Sequence, residues 1–229
     1  MKIGGFHKVS LVDFPGRISS LVFTQGCNFR CPYCHNPELV RRDLFVPPLP
    51  EDEIFSFMAD RRKYFQSLTV TGGEPTVQPD LCSFLERAKA AGLDVKLDTN
   101  GSRPRRLREI FDRHLVDFVA MDLKGPPERY AGFAGVAVNT RTIIEAVRLI
   151  MQSGVVHEFR TTVVASLFAD GDFRIMGELV RGAKRFVLQS FIAGKTLDDG
   201  LSREKSCPRE RLEKFRVIMK EYVEECIIR

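Results

Sequence analysis

The chain has 229 residues, 44% of them hydrophobic, with 35 Lys and Arg against 30 Asp and Glu. One α/β domain over residues 1–229 uses that apolar content better than two small domains, each with its own core. No apolar run reaches about 18 residues, which excludes a membrane-spanning helix, and the net charge of +5 suits an anionic partner without itself pointing to nucleic acid. Residues 1–20 lack the charged start, apolar middle and small-residue cleavage site of a secretion signal, so a cytoplasmic protein is expected.

In chain order, apolar and β-branched runs alternate with amphipathic stretches, the pattern of repeated strand–helix units on a parallel sheet. Residues 18–24 read as a strand that leads into a cysteine-rich loop. A helix is predicted over 51–62, with Ile54, Phe55 and Met58 on one face. A strand over 67–71 runs into Gly72-Gly73-Glu74-Pro75, and a helix over 80–91 follows. Residues 95–97 form a strand ending at Asp98, 105–111 a helix, and 117–121 a strand ending at Asp122. A helix over 139–152 carries Ile143, Ile144, Val147 and Ile150 at helical spacing. Strands over 158–164 and 185–189 bring the expected total to six, and a charged helix over about 209–225 closes the chain. The core is placed at about 16–195, Pro47-Pro48-Leu49-Pro50 reads as a stiff connector, and no internal repeat is present.

Cys27, Cys31 and Cys34 stand within eight positions. Thiolates are the ligands of soft metal centres, and three on one tight loop match three corners of an iron–sulfur cube. A cube with three ligands keeps one iron open for substrate chemistry. The competing reading is structural zinc held by the same cysteines and His35. Zinc modules usually draw two ligands from each of two separated hairpins, and His35 directly follows Cys34, an awkward geometry for one tetrahedron. Cys82, Cys207 and Cys226 are scattered singly and read as buried, reduced thiols.

The run Gly26-Cys27-Asn28-Phe29-Arg30-Cys31-Pro32-Tyr33-Cys34-His35-Asn36-Pro37 resembles the radical S-adenosylmethionine (SAM) superfamily, and within it the activating enzymes of glycyl-radical proteins. The stretch from Gly5 to Gly16, with Ser10-Leu11-Val12-Asp13-Phe14-Pro15-Gly16, is most similar to activators of anaerobic ribonucleoside-triphosphate reductase. The resemblance runs from about Gly5 through Leu197 and thins beyond Ala165. It implies a partial (β/α)6 TIM-like barrel with its chemistry at the carboxyl ends of the strands. It also implies a [4Fe–4S] cluster on Cys27, Cys31 and Cys34 whose open iron chelates SAM. A reductase partner that receives a glycyl radical and a flavodoxin or ferredoxin electron donor come with it.

Each further motif has a functional and a plain reading. Tyr33 is expected near the adenine, or as loop packing beside Phe29. Gly72, Gly73 and Glu74 resemble the motif that receives the SAM ammonium, since glycines permit close approach and a strand end offers carbonyls and a carboxylate; otherwise they form an ordinary strand-to-helix turn. Asp98 and Asn100 are candidates for ribose hydroxyls, although Asn100-Gly101 is also a turn pair. Lys124 is a candidate for the SAM carboxylate. Arg160 and Gln189 are expected near SAM or the incoming glycine loop, with a structural ion pair as the alternative for Arg160. The family likeness further implies a monovalent cation at Asp98, Thr99 and Asp122. The basic runs at Arg41-Arg42 and Arg103–Arg108 read either as docking for an acidic partner or nucleic acid or, as most such runs do, as solvated faces; without an aromatic stacking platform RNA binding stays a weak idea. Two other readings are a radical SAM enzyme acting on a small molecule or RNA, including deazaguanine-type ring chemistry, and a zinc-binding adaptor without catalysis.

Overall fold

The computed structural model describes residues 1–229. These divide into two compact units. The first comprises Met1–Asn28, Glu38–Thr99 and Arg105–Val119, and the second Phe29–Pro37, Asn100–Pro104 and Ala120–Arg229.

In the first unit, β1 (Ile3–Phe14) and β2 (Arg17–Thr24) form an antiparallel hairpin that closes with Phe14 opposite Arg17. After α1 (Pro37–Val40), whose last three residues belong here, come α2 (Glu51–Arg61), β3 (Ser67–Gly72), α3 (Leu81–Ala90), β4 (Asp94–Thr99) and, from Arg105 on, α4 (Pro104–Asp112). Both β2–β3 and β3–β4 are parallel, with Val22 opposite Val70 and Val70 opposite Leu97. Parallel strands are covered on both faces and so read as near-continuous buried runs. Successive residues alternate between faces. One face of β3 and β4 therefore carries Leu68, Val70, Val95 and Leu97, all fully buried, each stabilising the fold by roughly 1.5–3 kcal/mol. The opposite face carries Thr69, Lys96 and Asp98, buried polar groups that need partners of their own.

β5 (Phe118–Asp122) begins in the first unit and ends in the second. The second unit continues through α5 (Tyr130–Ala134), α6 (Thr140–Gln152), β6 (Val156–Val163), α7 (Asp172–Leu179), β7 (Arg185–Ser190), α8 (Arg209–Met219) and β8 (Glu225–Ile228). The α6 helix starts at Asn139, whose side chain accepts from Arg141 N at 3.2 Å, and it buries Ile143, Ala146, Val147 and Ile150. β6–β7 and β7–β8 are parallel, and Phe173 of α7 stacks on Phe215 of α8 with ring centres 4.1 Å apart.

Two expectations change. The closing helix ends at Met219, and β8 pairs Cys226 with Phe186 and Ile227 with Val187. Charged residues up to Glu225 prolong the amphipathic pattern, but β-branched Ile227 and Ile228 gain more from the open edge of β7 than from another helical turn. The strands number eight rather than six, because β1 was also unread. Gly4, Gly5 and Lys8 break its alternation, and its pairing with β2 shifts register three times.

Candidate functional site

The first unit shapes the start of the cysteine loop. Gly73 N donates to Thr24 O at 2.8 Å, Glu74 N to Gly26 O at 2.8 Å, and Gly26 N to Leu39 O at 2.7 Å. Gly72 has φ +113°, and a Cβ there would collide with Thr24 N; a Cβ on Gly73 would collide with Gly26 O. The close approach these glycines permit is thus to the chain's own backbone at the root of the loop. The Glu74 carboxylate is 1% exposed. Its Oε1 accepts from Thr76 N at 3.1 Å, from the Thr99 hydroxyl at 2.7 Å and from the Thr76 hydroxyl. Asp98 pairs with Lys96, whose side chain is fully buried and whose Nζ lies 5.9 Å from the centre of the Phe118 ring. Sequence reading missed Lys96; its signal was a charge in the middle of a buried strand.

The second unit holds the rest of the loop. Cys34 N donates to Cys31 O at 3.0 Å and Arg30 N to Ala134 O at 2.7 Å. Leu197 N donates to Cys34 O and Asp198 N to Pro32 O, both at 2.9 Å. This strap from the C-terminal part of the chain uses backbone groups only, so no side-chain motif could reveal it. Asp122 Oδ1 accepts from Arg160 Nε at 2.9 Å and Oδ2 from Lys124 Nζ at 3.1 Å. Burial would raise the Asp122 carboxyl, but the adjacent charges of Arg160 and Lys124 outweigh it and hold it well below the usual carboxylate range. Burial opposes the Lys124 charge, and Asp122 overcomes that and raises Lys124. The Cys31 thiol is raised by burial. Tyr33 is raised well above the ordinary phenol by burial, then by Cys31, and its buried hydroxyl has no hydrogen-bond partner.

Asn100 Oδ1 accepts from Ser102 N at 2.9 Å, a turn-forming bond. Arg160 stands opposite Val187 in the β6–β7 pairing and Gln189 opposite Thr162. Gln189 is half-buried.

A family model described as the radical SAM superfamily matches residues 21–169. The chain belongs to the radical SAM superfamily. Members of the superfamily use a [4Fe–4S] cluster and SAM. A Methanocaldococcus jannaschii protein, provisionally named a glycyl-radical enzyme activating enzyme, is 29% identical over 99% of this chain and 95% of its own length. The 7-carboxy-7-deazaguanine synthase of Methanopyrus kandleri is 37% identical over 49% of this chain and 52% of its own length. A pyruvate formate-lyase-activating enzyme of Clostridium pasteurianum is 34% identical over 54% of each. The chain thus spans about half the length of these last two relatives. Among solved structures, Streptococcus suis SuiB bound to precursor peptide SuiA superposes with a TM-score of 0.68 at 12% identity, over 91% of this chain and 48% of SuiB. The α/β radical SAM fold expected from the motifs is present, and a partial (β/α)6 barrel is consistent with it.

In donor type, the cysteines of this radical SAM chain suit the family's cluster. All six cysteines are thiols outside any disulfide, with Cys82, Cys207 and Cys226 buried as expected. Cys27, Cys31 and Cys34 offer three soft sulfurs, and the unpartnered Tyr33 hydroxyl stands in the same loop. The exposed His35 ring meets buried Phe191 edge-on, with centres 5.1 Å apart. No helix is long and apolar enough to cross a membrane.

Proposed function

We propose that this chain is an activating enzyme that generates a glycyl radical on a partner protein, and that the partner is an anaerobic ribonucleoside-triphosphate reductase. The observation that carries the activating role is the likeness to the Methanocaldococcus relative along nearly the whole of both chains. The choice of reductase rests on the resemblance of Gly5 to Gly16. When bound, the cluster supplies the electron that cleaves SAM, and SAM supplies the group that removes the glycine hydrogen.

Cys27, Cys31 and Cys34 hold the cluster as thiolates, and loading it releases their protons. Because the Glu74 carboxylate is engaged by Thr76 and Thr99, its part is to fix the turn. The turn's backbone acceptors then receive the SAM ammonium. Lys124, paired with Asp122 in the cofactor-free chain, would hold the SAM carboxylate, and Asp122 would keep Arg160 as partner. Asp98 and Asn100 receive the ribose, with Asp98 held by Lys96. Tyr33 lies beside the cofactors. A monovalent cation at Asp98, Thr99 and Asp122 would compete with Lys96, Lys124 and Arg160 for the same carboxylates; activity indifferent to sodium and potassium, compared with Asp98→Ala, would remove it. A flavodoxin or ferredoxin supplies the electron.

The test is anaerobic reconstitution, reduction, and detection of 5′-deoxyadenosine from SAM, then of a glycyl radical by electron paramagnetic resonance (EPR) on the reductase. Wild type should give both and Cys31→Ala neither. Deoxyadenosine without a protein radical, whichever glycyl-radical protein is supplied, would refute the activating role. The deazaguanine synthase likeness favours a second reading, small-molecule ring chemistry; turnover of a deazaguanine precursor would support it.

A further inference from the structure

Tyr33 is the one aromatic residue between Cys31 and Cys34, and it is 4% exposed. Its hydroxyl finds no acceptor in the protein, while the backbone around it is fully engaged: Cys34 N to Cys31 O, Leu197 N to Cys34 O, Asp198 N to Pro32 O. A loop this tightly strapped does not leave a buried hydroxyl idle by looseness. Buried polar groups are ordinarily paired, and each exception needs a reason. A phenylalanine would supply the same packing without the unmet hydrogen bond. The neighbours narrow the choice of partner. Cys31, itself buried, stands two residues before Tyr33 in the same strapped loop. Asp122 is occupied by Lys124 and Arg160, and the hydroxyl of nearby Tyr130 accepts from Lys124 N at 3.3 Å. Sulfur on Cys31 is the acceptor that changes character on loading, from a free thiol to a cluster-bound thiolate.

We infer that the Tyr33 hydroxyl is a built-in donor to the sulfur of the loaded cluster at Cys31 and sets its reduction potential. Tyr33 is a positioning residue in this role: it touches the cluster's sulfur and takes no part in bond making. Hydrogen bonds to cluster sulfur favour the more negative, reduced state. The inference rests on the assignment of Cys27, Cys31 and Cys34 as cluster ligands and goes beyond it.

The experiment is an EPR-monitored redox titration of the reconstituted protein without SAM, comparing wild type with Tyr33→Phe. The expected result is a midpoint shifted to more negative potential in Tyr33→Phe, with the cluster-free variant melting no lower than cluster-free wild type. Trifluorotyrosine at position 33 keeps the hydroxyl and makes it a stronger donor, so it should shift the midpoint the opposite way; this arm also decides the matter should Tyr33→Phe fail to load. An unchanged midpoint in loaded Tyr33→Phe or in the fluorinated protein overturns the inference. So does a cluster-free Tyr33→Phe that melts below wild type, since the hydroxyl would then have a partner in the protein. Wild type that takes up no iron under these conditions overturns the cluster assignment itself, a failure distinct from a loaded protein indifferent to residue 33.

Discussion

Glu74 and Asp122 are carboxylates at the ends of strands, one just beyond β3 and one closing β5, and they are held in different ways. Glu74 is engaged by a backbone amide and two hydroxyls from Thr76 and Thr99, short groups with little freedom. Asp122 is engaged by two long cations, Lys124 and Arg160, at 3.1 and 2.9 Å. The first arrangement fixes a turn and commits the carboxylate to it. The second leaves side chains that can re-aim, because ammonium and guanidinium groups on flexible stems exchange partners at little cost when partly solvated. The Glu74 region is therefore preorganised and the Asp122 region adjustable.

Glu74→Ala tests the rigid half most severely. It strips the acceptor from three donors, each worth roughly 1–3 kcal/mol when buried and unmet. The cluster-free protein should lose about 4 kcal/mol of stability in chemical denaturation, with Glu74→Gln restoring part of it. A loss of only a few tenths would show that the turn does not depend on the carboxylate.

Lys96→Met sharpens the same side. It removes the buried cation bonded to Asp98, and breaking a buried pair costs roughly 3–5 kcal/mol. The expected loss is about 3 kcal/mol, and the double variant Lys96→Met with Asp98→Leu should recover much of it, because no charge is then left inside. A double variant as unstable as the sum of the singles would contradict this pairing.

Asp122→Asn probes the adjustable half. One of Lys124 and Arg160 keeps a neutral acceptor in the amide oxygen while the other loses its bond, and the Asp122 side chain is 31% exposed, so water can take up the difference. The expected loss is about 1 kcal/mol, discounted for that screening, whereas SAM affinity should change through Lys124. Calorimetric SAM binding to the loaded variant reads the second effect. A stability loss equal to that of Glu74→Ala would erase the contrast between the two regions.

The sequence marked the residues of the candidate site better than it showed how they are held. The cysteine spacing, the Gly72-Gly73 pair and the strand-end Asp122 were legible because each is a local pattern. Glu74 was read as an acceptor for a ligand, yet its donors are Thr76, in the short 3-10 turn just after it, and Thr99, at the end of β4, which only the β3–β4 pairing brings alongside. Lys96 was passed over inside a correctly expected strand because period-2 reasoning assigns charge to a solvated face, and here both faces are covered. The strap from Leu197 and Asp198 to the cysteine loop is made by backbone groups and leaves no mark in residue type. β8 was absorbed into a helix because four residues are too few to establish a period.

Tyr33→Phe gives the smallest effect and the opposite sign. All the other substitutions remove a bond that the cluster-free protein has; this one removes a hydroxyl that has none. Folding takes that hydroxyl out of water without compensation, and relieving such a group gains up to about 1 kcal/mol. Cluster-free Tyr33→Phe should therefore be as stable as wild type or slightly more so in equilibrium denaturation. Once loaded, the order should reverse or the gain vanish, because the wild-type hydroxyl then has an acceptor. That dependence of sign on loading separates a donor kept for a cofactor from an aromatic residue kept for packing: packing alone predicts the same small difference in both states.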